Sequence, residues 1–148
     1  MAVAFLPPTL RDEWVSCSNL MNGKTTYATI NSGIDGNHLI GKGGLPTVIL
    51  GSGAGAGSYV ITGNDTAFTI SVTAGAGTVN NSIIFTLTFN TPFSSLPHSV
   101  FSPGSKSAAP MLTRVYLNNN SVNSFDFRIT NPALVSGTTY TWHIITIG

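Results

Sequence analysis

The sequence predicts an all-β protein, an antiparallel β-sandwich or jelly roll of about eight strands behind an extended N-terminal arm. Three observations carry this reading. Apolar and polar residues alternate with a period of two in segment after segment beyond Leu45. No stretch long enough for a stable helix keeps an apolar period of 3.6. Apolar residues make up 42% of the chain and charged ones only 7%, the rest being dominated by Gly, Thr, Ser and Asn. That is the composition of β-branched and aromatic strands broken by small turn formers.

Residues 1–44 read as the arm and 45–148 as the sandwich domain. In the arm, Pro7-Pro8 imposes extended backbone. "TLRDEWVSCSNL" offers at most one helical turn, around Leu10–Ser18 and capped by Thr9. "NSGIDGNHLIGKGG" is loop chemistry throughout. Phe5, Leu6, Leu10, Trp14 and Val15 are large apolar side chains on a segment with no alternation of its own. They need a foreign surface to bury against, which makes them the candidate partner-binding residues.

Beyond the arm, Thr47–Leu50 and Tyr59–Thr62 are short strand candidates. "TAFTISVT" puts Phe68, Ile70 and Val72 on one face and Thr69 and Ser71 on the other. "IIFTLTFN" does the same with Ile83, Phe85, Leu87 and Phe89. Ser99–Ser102 and Met111–Leu117 follow as shorter candidates. "SFDFRIT" turns Phe125, Phe127 and Ile129 inward and leaves Asp126 and Arg128 outward, two residues apart, as a surface ion pair. "TYTWHIITIG" sets Tyr140, Trp142 and Ile144 against Thr141, His143 and Ile145. Alternation of this kind belongs to half-buried antiparallel strands. Gly, Pro, Asn and Ser clusters mark the breaks.

Charge narrows the function further. Six basic and five acidic residues give a net charge of +1 and are scattered singly. No basic stripe is available to neutralise phosphates, so nucleic acid is not an expected partner. A surface so poor in charge invites precipitation of a free monomer and fits a protein buried against copies of itself or a partner. Cys17 is the only cysteine, which rules out an intrachain disulfide and thiolate zinc clusters. No apolar run reaches the length of a membrane span, and the N-terminus lacks the pattern of a signal peptide. The expected site of folding is therefore a reducing cytoplasm.

The chemical motifs are weak one by one. Gly36, Gly41 and Lys42 have the spacing of a phosphate-binding loop, but Gly43 stands where a Ser or Thr should hold magnesium. Gly43-Gly44-Leu45-Pro46 would also stop the helix such a loop requires. "GSGAG" at 51–55 leads into strand residues and reads as a flexible turn between strands. His38, His98 and His143 are far apart in sequence and predict no metal site within one chain. Asp35 and Asp65 fall in turns, where Asp bonds its own local backbone. No nucleophile sits in a catalytic setting. The expectation is a protein that is not an enzyme and needs no cofactor.

From Gly51 to Gly148 the order of landmarks carries a resemblance. The segments are "GSGAGAGSYVITGNDTAFTISVTAGAG", "FTLTFNTPFSSLPHSVFSPGSKSAA", "VYLNNNSVNSFDFRI" and "SGTTYTWHIITIG". Together they resemble a β-sandwich module of tailed-bacteriophage virion surface proteins, found in capsid cement or decoration proteins and in tail-fibre tips. The resemblance implies a structural role, usually as a trimer, and no catalytic residue. It implies assembly in the host cytoplasm and residence on the virion, with the major capsid protein or another virion protein as partner and no membrane. A short chain with an arm and no long shaft points to a trimeric cement protein. A tail-fibre tip or other tail component, with a receptor-binding glycan adhesin among the possibilities, stays open. His143, Ile145 and Ile147, on the second face of the last strand, are the candidate trimer-interface residues.

Overall fold

The computed structural model describes residues 32–35, 38–41 and 43–148 of the 148-residue chain. The chain divides into two units, Met1–Ile40 and Gly41–Gly148. Strands β1 (Ser32–Asp35) and β2 (His38–Gly41) form a two-stranded sheet. The loop reading of this stretch is therefore corrected. The two four-residue runs are separated by only two positions, close enough to pair, and this outweighs the glycine content. Phe5, Leu6, Leu10, Trp14 and Val15 lie outside the described residues, as do Cys17 and the turn expected at Leu10–Ser18.

From Thr47 onward the fold is all-β. Its strands are β3 (Thr47–Leu50), β4 (Ser58–Gly63), β5 (Ala67–Thr73), β6 (Ile83–Thr88), β7 (His98–Pro103), β8 (Val115–Asn118), β9 (Ser124–Ile129) and β10 (Thr139–Ile147). They build two four-stranded antiparallel sheets, ordered β4-β5-β10-β7 and β3-β6-β9-β8. Only β4–β5 and β8–β9 are hairpins within one sheet; every other connection from β3 on crosses between sheets. The arrangement is β-sandwich-like, as the period-two alternation requires when each sheet buries one face.

One core lies between the sheets. Phe68, Ile70 and Val72 of β5 and Tyr140, Trp142 and Ile144 of β10 face Leu87, Phe125, Phe127 and Ile129 from the other sheet, all of them buried. Phe127 joins the layers: it stacks on Phe85 at 4.9 Å and meets Trp142 and Phe101 edge-on, each at 5.0 Å. Tilted and offset contacts of this kind satisfy the ring quadrupoles as well as burying area.

Three local expectations are corrected. Strand β6 carries a bulge: Ile83 pairs Arg128 while Phe85 pairs Phe127, so the register slips by one between them. Ile84 and Phe85 are then both fully buried and Ile83 is not, whereas alternation alone put Ile83 inward. Met111 belongs to a short 3-10 turn, Ala109–Met111, with Pro110 inside it, and β8 starts only at Val115. Asp126 is buried, and its carboxylate accepts bonds from Thr86 Oγ1 at 2.7 Å and from the Asn119 side-chain amide. Arg128 reaches the Asn81 carbonyl instead, so the expected Asp126–Arg128 ion pair is not made.

Candidate functional site

Strands β4, β5, β7 and β10 read SYVITG, AFTISVT, HSVFSP and TYTWHIITI. None contains Asp, Glu, Lys or Arg. Their inward residues fill the core, so the outer face of this sheet consists of Ser, Thr, His, Ala67 and branched apolar residues. Two parts of that face are distinct.

The first is a ladder of side-chain hydrogen bonds across β5 and β10. Thr73 Oγ1 and Thr139 Oγ1 lie 2.8 Å apart, Ser71 Oγ and Thr141 Oγ1 2.8 Å, and Thr69 Oγ1 and His143 Nδ1 2.9 Å. Each pair sits directly opposite in the antiparallel register, where small polar side chains reach each other without strain. A hydroxyl already bonded to its neighbour demands less of water, so covering this strip costs less than covering free hydroxyls. The other side of the His143 ring is close to Gly104, where an added Cβ would lie 2.6 Å from Nε2. Any larger residue at position 104 would press on the imidazole.

The second part is apolar. Ile145 stands opposite Val100 of β7, and Ile147 lies two residues further along β10. They are 49%, 65% and 68% exposed respectively, although β-branched side chains of this size normally bury. Val60 on β4 extends the apolar character to the opposite edge. Between the two parts is a shallow depression of about 330 Å³, with Thr62, Thr69, His143 and Ile145 in its lining.

The structure thus brings His143, Ile145 and Ile147 together on one outward face of β10, as their parity in the sequence required. It adds Thr69, Val100 and Val60, which the sequence could not attach to them because pairing order is not written in any one strand. The arm residues expected to bind a partner cannot be placed beside this face, since they lie outside the described residues.

Asp65 is a second notable group, and its role is structural. It is 3% exposed; its two carboxylate oxygens accept the backbone N–H groups of Asn90 at 2.7 Å and Thr91 at 2.8 Å. Neighbouring Asn64 makes the local turn instead, its Oδ1 accepting from Thr66 and Ala67. The sequence expectation that Asp65 bonds its own turn is therefore corrected. Gly63, at φ +117°, makes the turn possible, because an added Cβ would meet the Ala67 carbonyl oxygen. The "GSGAGAG" loop is pinned in a similar way, with bonds from Gly53 to Ile83 and between Ala54–Ala56 and Gly75–Ala76.

Among the described residues no group of three or more His, Cys, Asp or Glu is placed to hold a metal. No described helix is long and apolar enough to cross a membrane. Compared with family models, curated proteins and solved structures, the chain matches none at a significant level.

Proposed function

We propose that this is a virion structural protein, a homotrimeric cement or decoration protein that binds the major capsid protein from outside. The observation that carries the reading is the outer face of the β4-β5-β10-β7 sheet, free of charge and ending in exposed Val100, Ile145 and Ile147. Such a face is cheap to desolvate and costly to leave wet. Three copies closing around an axis through His143, Ile145 and Ile147 would bury it in a closed assembly with no propagating contact. The crossing connections between the sheets support a jelly-roll description, and the ordered landmarks from Gly51 to Gly148 support the virion class.

The arm, residues 1–44, is the proposed capsid-binding element, with Phe5, Leu6, Leu10, Trp14 and Val15 as anchors. Each buried large side chain contributes roughly 1.5–3 kcal/mol. Ordering the backbone costs about 1–2 kcal/mol per residue, so main-chain bonds to the capsid, by strand addition, must add to the anchors. Three arms acting together raise affinity by roughly 10²–10⁴. The test is capsid decoration by a chain lacking residues 2–22 and by the Trp14→Ala variant. Folded proteins that no longer decorate support the proposal; full occupancy by the truncated chain moves the contact to the sandwich domain and refutes the role of the arm.

A tail-fibre tip, binding a receptor glycan, is the second reading. The depression beside Thr62, Thr69 and His143 favours it, because hydroxyls and an imidazole on an open sheet face suit sugar hydroxyls. Neither reading involves catalysis or a cofactor.

A further inference from the structure

We infer that β4 is the docking edge for β4 of a second copy of this chain, the two strands pairing antiparallel about a twofold axis at Ile61. The inference goes beyond the virion reading and does not depend on it.

The first support is what the edge lacks. β4 ends its sheet, with β5 on one side and no strand on the other among the described residues. Exposed edges are normally blunted by charge, proline, bulges or shortness. The other edges show these devices. β3 is four residues long and preceded by Pro46, and β8 is four residues long, with Arg114 before it and the left-handed Asn119 (φ 52°) after it. β7 carries His98 and ends at Pro103. β4 is six residues, SYVITG, uncharged, without proline and continuous in its pairing, its one departure being the positive φ of Gly63 (+117°) at its last position.

The second support is which backbone groups are free. The Asn64 N–H donates to the Ala67 carbonyl at 3.0 Å, which makes 64 and 67 a hydrogen-bonded pair of the β4–β5 hairpin. In an antiparallel ladder such pairs alternate, so Thr62–Thr69, Val60–Ser71 and Ser58–Thr73 are the bonded pairs that follow in this register. The N–H and C=O groups of Tyr59, Ile61 and Gly63 therefore point away from β5. A second β4 meeting them antiparallel, with Ile61 opposite Ile61, uses all of them: Tyr59 of each copy falls opposite Gly63 of the other.

The third support is side-chain fit. Tyr59 shares the core side with Val72, yet it is 40% exposed while Val72 is 0%, so the core is open along this edge. In the paired register the Tyr59 ring lies over the bare backbone of Gly63 in the other copy, an arrangement that protects an edge glycine. On the outer face Val60 falls opposite Thr62, and no like charges meet. A strand that complements itself in this way fits a copy of the same chain better than an unrelated peptide.

Sedimentation of the full chain tests this, with two variants built on the exposed outer positions 60 and 62. Val60→Lys/Thr62→Lys places ammonium groups opposite each other across the twofold; Val60→Lys/Thr62→Glu places Lys opposite Glu. The parent protein should sediment as an even multiple of the chain, two trimers joined through β4 where the threefold contact also forms and a dimer where it does not. The Lys/Lys variant should run at half that mass, and the Lys/Glu variant at the parent mass. Circular dichroism should show all three equally folded. Equal masses for all three, or the same loss in both variants, overturn the inference. Ile145→Lys/Ile147→Lys separates the two contacts, since it removes the threefold association and leaves the twofold one. A halved mass in a protein that is absent from virions would defeat the virion reading and keep this one.

Discussion

His143 Nδ1 and Thr69 Oγ1 lie 2.9 Å apart across β10 and β5, on the outer face of the uncharged sheet. The imidazole that looked solitary in the sequence is the last rung of a hydroxyl ladder, and it borders the apolar group of Ile145, Val100 and Ile147. This juxtaposition separates two kinds of residue on one strand: those bonded across the sheet and those left exposed to solvent.

Ile145→Lys/Ile147→Lys should convert the proposed threefold assembly to smaller species while leaving the fold intact. Both residues are exposed, so each change should alter stability by only about 0.5 kcal/mol. Light scattering and thermal melting check the two halves of this prediction. An unchanged mass would remove these residues from the interface.

Asp65→Ala should cost about 2–4 kcal/mol, because a buried carboxylate with two backbone N–H partners is lost and both donors are left unpaired. Asp65→Asn should cost less, since one acceptor oxygen remains. Urea unfolding of the two variants gives the comparison. A loss below about 0.5 kcal/mol for Asp65→Ala would mean that water replaces the clamp at no cost.

Phe127→Ala should destabilise by about 3–5 kcal/mol, as Phe127 is fully buried and touches Phe85, Phe101 and Trp142. Because those partners come from both sheets, near-ultraviolet circular dichroism should lose its aromatic signal in the same transition as the far-ultraviolet β signal. Separate transitions would show that the two sheets do not share one cooperative core.

Asp126 and Arg128 should behave independently. Asp126→Ala should cost about 1.5–3 kcal/mol through its lost bonds to Thr86 and Asn119. In a double-mutant cycle with Arg128→Met, the coupling energy should stay below about 0.5 kcal/mol, since the two groups form no ion pair. A larger coupling would restore the ion pair read from sequence.

The central strands were legible because burial of one sheet face writes itself as strict alternation. Phe68, Ile70 and Val72, and Tyr140, Trp142 and Ile144, are inward as their parity demands, and the same parity put His143, Ile145 and Ile147 outside. Alternation fails where a bulge adds a residue, so it points Ile83 to the place that Ile84 holds. It also says nothing about which strands adjoin, and for that reason Thr69 and Val100 could not be joined to His143 beforehand. The Asp65 clamp spans 25 residues, a distance at which turn chemistry gives no signal. Asp126 looked like a surface acid because its neighbours Thr86 and Asn119, which satisfy it in a buried place, come from other segments.

The most direct measure of the proposed role is the number of copies of this protein in a purified virion, obtained by quantitative mass spectrometry against the major capsid protein. A cement protein seated at repeated positions over the capsid should be present in hundreds of copies per particle, in a fixed ratio to the capsid subunit. Tens of copies or fewer would contradict decoration and assign the protein to a tail or fibre, and its absence from the particle would contradict the virion reading altogether.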